Sequence, residues 1–411
     1  MHILLIHQSF ATIDEPGGTR HHELARYLAE RGDRVTVIAS PVSYLTGNAQ
    51  GGRIPWIRQE DGGQGVTVLR AYTYPALHRS FIHRVFSFLS FMASSFLIGL
   101  RVREVDILWG TSPPIFQGAT AWALSRFKGV PFLFEVRDLW PAFAVAVGVL
   151  KQPLLIRASE WLEGFLYRHA DQVMVNSPGF IEHVKSRGAQ NVELVPNGAD
   201  ASMFDPHSNG EQFRREHDLG RKGDRGTFLA LYAGAHGLSN DLEILLQAAD
   251  KIRDCDYITM VLLGDGKEKS KLMVKAEQMA LSNVRFLPPV PKTTMPEALA
   301  AADACIAILK PVPLYATVYP NKVFDYMAAG RAVVLAMEGV IREVIENAHA
   351  GVPVPPGNPD ALAHAIRELA NNPQMRREMG LNGRQYVKAH FDRPIIAGKL
   401  ARLMTRMANK V

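Results

Sequence analysis

Cysteine is almost missing from this sequence: Cys255 and Cys305 are the two present among 411 residues. Neither stands in a C-x-x-C pair or a Cys/His ligand pattern, which argues against a disulfide framework and against a zinc site. Blocks of lysine and arginine with interleaved aromatics are also missing, so nucleic acid is not an expected partner. The net charge of +6 is mild and suits an anionic ligand or an anionic membrane surface. A basic leader and a cleavage site are absent from Met1-His-Ile-Leu-Leu-Ile6, which reads as a strand; a cytoplasmic protein is expected. What is present is ordinary for a globular chain, 47% hydrophobic and 21% charged. The length exceeds what one core usually serves, so two domains are expected.

Strand, glycine loop, helix and strand follow one another over the first forty residues. His2–His7 and Arg34–Ala39 are the strands, and a helix from about Thr19 to Glu30 lies between them. Gly17 and Gly18 precede that helix, where glycine lets a ligand approach the backbone; a plain strand-to-helix turn is the alternative. Ala49–Gly65 is glycine-rich and reads as a surface loop. Pro131-Phe-Leu-Phe-Glu-Val136 is a later strand, ending in Arg137-Asp-Leu-Trp-Pro141. In an open parallel sheet ligands sit beyond the carboxyl ends of strands. Glu135, Arg137 and Asp138 are therefore candidates to orient a sugar or a diphosphate, unless they form an ordinary ion pair. The polar stretch Asp205–Gly226 marks the domain boundary. Alternating strands and helices on both sides of it predict two doubly wound α/β domains.

Between Arg84 and Arg101 there is no charge. Phe81, Val85, Phe88, Leu89, Met92 and Phe96 recur at helical spacing, and Ser87, Ser90 and Ser94 form a second face. The run is shorter than the roughly twenty residues of a membrane span. His78, Arg79, His83 and Arg84 precede it and Arg101 and Arg103 follow. Two readings stay open: a helix at an anionic membrane interface, with Phe88 and Phe96 facing lipid, or a helix buried on the sheet.

In the second half, Gly234 lies in the loop after the strand Thr227–Tyr232. Gly264-Asp-Gly266 follows a buried strand and leads to Lys267, Lys269 and Lys271. Glycines beside a lysine-rich helix start suit a phosphate, although exposed lysines are commonly just solvated. Asp254-Cys-Asp256 has a metal-site spacing but precedes its strand, the wrong end of the sheet, so no metal is expected there. The most informative stretch is Tyr319-Pro-Asn-Lys-Val-Phe-Asp-Tyr-Met-Ala-Ala-Gly330, followed by the strand residues Val333–Leu335. Pro320 suits a first helical turn, whose free N–H groups attract phosphate. Lys322 adds a full charge, and Asp325 lies on the same face as Asn321, where a carboxylate can bind a diol such as ribose. A solvated helix start is the alternative.

Taken together, several of these segments resemble glycosyltransferase family four, the retaining transferases of GT-B fold. The match rests on Gly17-Gly18, Arg137-Asp-Leu-Trp-Pro141, Val195-Pro-Asn-Gly198 with Asp200, Gly264-Asp-Gly266, Pro320–Gly330, Gly351–Leu362, and Met379-Gly380 with Asn382. It covers nearly the whole chain and is closest to bacterial transferases of capsule, O-antigen and colanic-acid assembly. The resemblance implies two Rossmann-like domains facing across a cleft. Residues 1–205 would bind the acceptor and 206–394 the donor, and 395–411 would form a helix returning to the first domain. It implies a nucleotide-sugar donor, UDP-linked by expectation, with Gly17, Gly18, Gly234, Lys267, Lys269, Asn321, Lys322 and Asp325 as donor contacts. Asp138, Glu135 and Arg137 would lie at the reacting sugar. No metal or other cofactor is expected. The implied acceptor is a saccharide, a polyprenyl-diphosphate-linked one included, with residues 81–100 meeting the inner face of the cell membrane. The pattern departs from the family where Thr317 replaces the first of two glutamates and Asp325 the second. Ala235 and Asn240 stand where many members have arginine and lysine, and Arg137 where they have histidine. A UDP-sugar epimerase on the same plan and a non-catalytic nucleotide-sugar-binding subunit are the alternatives.

Overall fold

The computed structural model describes residues 1–43, 47, 54–75, 81–220 and 226–409. They divide into two compact units. Met1–Ile13, Gly17–Pro196 and the chain from Pro394 onward form the first; Asp14–Pro16 and Asn197–Arg393 form the second.

The first unit contains β1 (His2–Ile6), α1 (Arg20–Glu30), β2 (Arg34–Ala39), β3 (Ile57–Asp61), β4 (Val66–Ala71), α2 (Phe81–Arg101), β5 (Ile107–Ser112) and α3 (Ile115–Lys128). It continues with β6 (Phe132–Val136), α4 (Ala142–Ala146), α5 (Pro153–His169), β7 (Gln172–Val175), α6 (Ile181–Ser186) and β8 (Val192–Leu194). The strands form one sheet in the order β3-β4-β2-β1-β5-β6-β7-β8, parallel except for β3. The direction of winding reverses between β1 and β5, where Ile3 lies beside both Val35 and Ile107. Helices cover both faces, so the central strands read as unbroken apolar runs rather than alternating ones. On one face, Ile3, Leu5, Val37 and Trp109 pack with Ile396, Leu400, Leu403 and Met404 of the last helix. Each such apolar side chain contributes about 1.5–3 kcal/mol when fully buried.

Two expectations are corrected in this unit. Within the expected loop 49–65, Ile57–Asp61 is strand β3, antiparallel to β4 at the sheet edge. Its sequence is polar because an edge strand meets solvent, and Glu60 bridges Arg58 and Arg70 at 2.7 Å to each. The helix over the uncharged run is present as α2, but its faces differ from those expected. Ser94 donates to the Tyr72 carbonyl at 2.6 Å and Ser90 accepts from the Tyr74 amide, so the serine face is turned inward. Phe88 packs on Phe116 and Phe96 on Phe127. The stripe left exposed is Phe86, Leu89, Leu97 and Leu100, while Phe91 and Ile98 are buried. His78 and Arg79 lie outside the described residues.

The second unit holds α7 (Glu211–Glu216), β9 (Phe228–Ala233), α8 (Leu242–Lys251), β10 (Ile258–Leu263), α9 (Lys269–Gln278), β11 (Val284–Leu287), α10 (Met295–Ala301) and β12 (Ala304–Ile308). Then come α11 (Asn321–Ala328), β13 (Ala332–Ala336), α12 (Val340–Asn347), β14 (Gly351–Pro353), α13 (Pro359–Asn371) and α14 (Pro373–His390). The last helix, α15 (Arg393–Ala408), begins here, and its apolar face completes the core of the first unit. The sheet is wholly parallel, in the order β11-β10-β9-β12-β13-β14. Its winding reverses between β9 and β12, the place where doubly wound sheets bind ligands.

The expected boundary at residue 205 lies too late. Ala199, Ala201 and Phe204 belong to the core of the second unit, with Phe213 and Leu219 from the stretch expected to mark the domain boundary. That stretch reads as a boundary because its few apolar residues are spread among charges. One of those charges, Arg214, is buried: it pairs with Asp303 at 2.7 Å and donates to the carbonyls of Ala301 and Thr227 at 2.8 Å. Removing one partner of such a buried pair typically costs about 3–5 kcal/mol, so the polar segment is an anchor of the unit.

Candidate functional site

The second unit gathers its polar groups where the winding reverses. Pro320 is extended at the N-cap of α11, and no side chain caps the first turn. Its early N–H groups are left open to an anion. At the other end Gly330 adopts φ +67°, a left-handed stop that favours glycine. Tyr326 fixes the helix to β9: its hydroxyl accepts from the Ala233 amide at 2.9 Å and donates to the Ala233 carbonyl.

Lys322 reaches from this first turn to Tyr232. Its ammonium donates to the Tyr232 hydroxyl at 2.8 Å and lies 4.1 Å from the ring centroid. No carboxylate pairs with it among the described residues, and burial pulls its pKa down to about 7. Gly234 makes room: a Cβ there would lie 2.6 Å from the Lys322 Nζ. Asn321 is beside it, with a buried Oδ1 that has no partner among the described residues. Asp325 is turned to a different lysine. It forms a 2.6 Å ion pair with Lys292, and both side chains are largely buried. Lys292 was not identifiable from sequence, since it lies in a turn before α10, 33 residues from its partner. Thr317 donates to the Leu314 carbonyl at 2.7 Å and carries no charge to replace a glutamate.

Of the two lysines expected after β10, Lys269 is committed to the carbonyls of Gly264 and Leu287 at 2.8 and 2.9 Å. Lys267 is exposed at the turn before α9. Asp254 pairs with Arg367, and among the described residues no group of three His, Cys, Asp or Glu converges.

In the first unit the expected triad separates into different roles. Glu135 is fully buried and accepts from the Arg20 Nε at 3.3 Å, His21 Nε2 at 2.7 Å and Trp109 Nε1 at 3.0 Å. Burial pushes its pKa up, but His21 and Arg20 outweigh that and hold it at about 2. With both oxygens engaged inside the core, Glu135 is a structural anion and not a contact to a reacting sugar. Arg20 extends the network by donating to the carbonyls of Val195 and Pro196 at 2.8 Å. Arg137 donates to the carbonyls of Ser112 and Pro113 at 3.2 and 2.7 Å and so shapes the loop after β5. Asp138 is half-buried, and burial raises its carboxyl to about 6 against the pull of Arg137. Gly17 and Gly18 are exposed in the loop before α1. Sequence reasoning missed His7, at the carboxyl end of β1. It is fully buried, 3.3 Å from the Thr111 hydroxyl, and packs on the His21 ring at 4.2 Å between centroids. Its burial, then His21 and Arg137, keep it neutral well below the usual histidine range.

Two family models match the chain: "Glycosyl transferase 4-like domain" over residues 17–198 and "Glycosyl transferases group 1" over 227–372. The chain belongs to these glycosyltransferases. Over 359 residues it is 24% identical to a putative colanic acid biosynthesis glycosyl transferase, WcaI, of Escherichia coli K12, covering 84% of this chain and 86% of that one. It is also 24% identical to a D-rhamnosyltransferase, WbpZ, of Pseudomonas aeruginosa, over 57% of this chain and 59% of the relative. Among solved structures, a sucrose-phosphate synthase from Thermosynechococcus elongatus aligns over 100% of both chains with a TM-score of 0.80 at 19% identity. Anabaena HepE, solved with UDP and glucose, covers 99% of this chain and 100% of its own at a TM-score of 0.73 and 17% identity. The glycosyltransferase therefore has the GT-B fold, one parallel α/β sheet in each unit.

The buried charges of the first unit set an acid limit on its stability. His7 and His21 are held neutral in the folded unit. Their contribution is complete above about pH 6.5 and is lost as pH falls below it, because the unfolded histidines take up protons first. Glu135, lowered to about 2, withdraws its contribution only below about pH 4.5. All five tryptophans lie in the first unit, so tryptophan fluorescence reports its unfolding. Urea unfolding read this way should weaken from pH 7 to 5, and His7→Gln should lower the slope by up to about 1.4 kcal/mol per pH unit. An unchanged slope in the variant would show that His7 is not held neutral.

Proposed function

We propose that this glycosyltransferase moves a sugar, with retention, from a UDP-linked donor on the second unit to a saccharide acceptor on the first. The observation that carries the reading is the buried Lys322 ammonium, which has no carboxylate partner among the described residues and lies at the open first turn of α11. A buried cation of this kind calls for an anion, and a diphosphate presents two charges together. The HepE structures were solved with UDP and with UDP-glucose, which supports a uridine donor. Asp325, oriented by Lys292, is the carboxylate for the ribose diol. As the sugar departs, charge builds on the diphosphate and is met by Lys322 and the N–H groups of α11. With the Lys322 ammonium and these N–H donors meeting that charge, the reading calls on no metal ion.

On the acceptor side Asp138 is the carboxylate available to polarise a hydroxyl, since Glu135 is sealed in the core. The acceptor is a saccharide on a lipid carrier, in keeping with relatives named for colanic acid and O-antigen synthesis. The exposed stripe of α2 is the contact with the inner membrane face. Phe127 beside it is 74% exposed, and Arg101 and Arg103 at the end of α2 supply positive charge.

Three experiments test the reading. Lys322→Ala should weaken donor affinity about 10- to 100-fold, the range for a lost charge-assisted bond, in a donor panel with lipid-extract acceptor read by mass spectrometry. Near-normal affinity removes the donor site. Asp138→Asn should lower kcat about 100-fold or more and abolish a rise in rate through about pH 6. Retention of that rise in the variant assigns it to another group. Wild-type protein should float with phosphatidylglycerol vesicles, and Leu89→Glu with Leu97→Glu should remain in the soluble fraction; equal flotation of both excludes α2 as the contact.

A further inference from the structure

His236 lies in the loop between β9 and α8 and takes no part in the roles assigned so far. Its backbone is held from two directions by the neighbouring loop after β10. The His236 amide donates to the Asp265 carbonyl at 2.8 Å, and its carbonyl accepts from the Glu268 amide at 3.0 Å. Gly264 and Gly266 allow this approach. A Cβ at Gly264 would lie 1.9 Å from the Gly234 carbonyl oxygen, and one at Gly266 would lie 2.4 Å from the His236 carbonyl oxygen. The residue is thus carried in a fixed position.

Its side chain is the opposite. The ring is 0% exposed, and neither Nδ1 nor Nε2 has a partner among the described residues. A neutral imidazole has one donor and one acceptor to satisfy, and leaving a buried polar group unmet costs about 1–3 kcal/mol. Few native side chains are left in this condition without a functional reason. The charged groups that act on the ring are Lys269 from α9, Lys322 from α11 and Asp265 from the loop after β10. Tyr232 of β9 and Phe286 of β11 complete its surroundings, with ring centroids 6.0 and 6.3 Å away. Burial first, then the two ammonium groups, hold the imidazole neutral, at about 4, with Asp265 opposing.

We propose that His236 is a ligand of the donor diphosphate and that it takes up one proton from solvent when that anion binds. This rests on the donor reading above. A diphosphate diester brings two negative charges to a pocket that holds two lysines and one aspartate, which reverses the local balance. The imidazolium formed is then a donor to the phosphate oxygens. When the sugar C1–O bond breaks, its electron pair stays on the β-phosphate oxygen, and C1 bonds to the acceptor oxygen, whose proton passes to the Asp138 carboxylate. His236 adds a fixed positive donor to the leaving group at that moment.

The test is calorimetric titration of the whole protein with UDP-glucose, UDP-N-acetylglucosamine and GDP-mannose, in buffers of different ionisation enthalpy at pH 6.0. These diesters do not titrate there, and Lys322, at about 7, is already mostly protonated. Wild type should take up between about half and one proton per donor bound. His236→Gln should bind about tenfold more weakly and take up almost none. Wild-type affinity alone should also rise as pH is lowered from 6.5 to 5.5, a readout that does not depend on the variant folding. Donor binding without proton uptake, or uptake unchanged in His236→Gln, overturns the role of His236 and leaves the donor site standing. Failure of all three donors to bind wild type overturns the donor reading, and this proposal with it.

Discussion

A buried ammonium and a buried carboxylate seldom remain apart in a folded protein, yet the second unit keeps Lys322 and Asp325 from neutralising one another. Lys292 occupies Asp325 at 2.6 Å, and Lys322 is turned onto the hydroxyl and ring of Tyr232 instead. The result is a positive pocket at the start of α11 whose charge is not cancelled from within. Much of the local architecture follows from holding that arrangement. Tyr326 fixes the helix to the end of β9, and Gly234 leaves the space that the ammonium occupies. Burial lowers the lysine to about 7, so the pocket gains charge most readily when an anion arrives.

The first unit solves the opposite problem. Its buried anion, Glu135, is fully satisfied by Arg20, His21 and Trp109. A carboxylate at the carboxyl end of a parallel strand invites a catalytic reading, but satisfaction inside the core decides against it. The neighbouring Asp138 has the contrasting environment, half-buried and raised to about 6. Two carboxylates three residues apart thus differ by several pH units because one is surrounded by donors and the other is not.

The doubly wound architecture was legible because unbroken apolar strands alternate with helices, and because glycines and charges mark their carboxyl ends. The Pro320–Gly330 helix was equally clear from its proline, its lysine and its glycine stop. What sequence did not reveal depends on contacts across the chain. Lys292 is invisible until folding brings it to Asp325. The polarity of Ile57–Asp61 concealed a strand because composition does not distinguish an edge strand from a loop. Arg214 made a core segment look like a domain boundary, since a buried arginine with a buried partner carries no local signature. His236 had no motif to mark it; its burial and its unmet nitrogens appear only in three dimensions.

The interlock of the loops after β9 and β10 bears on how such a protein changes over generations. No side chain larger than hydrogen fits at Gly264 or Gly266 without displacing the backbone of the opposing loop. The two loops must therefore be inherited as a pair, since an alteration in one is unworkable unless the other moves with it. Change is more readily accommodated around this pair than within it. Lys292, which lies 5.5 Å from the Phe204 ring and pairs with Asp325, is held by side-chain contacts, where a substitution can be met by a neighbouring side chain without moving the backbone.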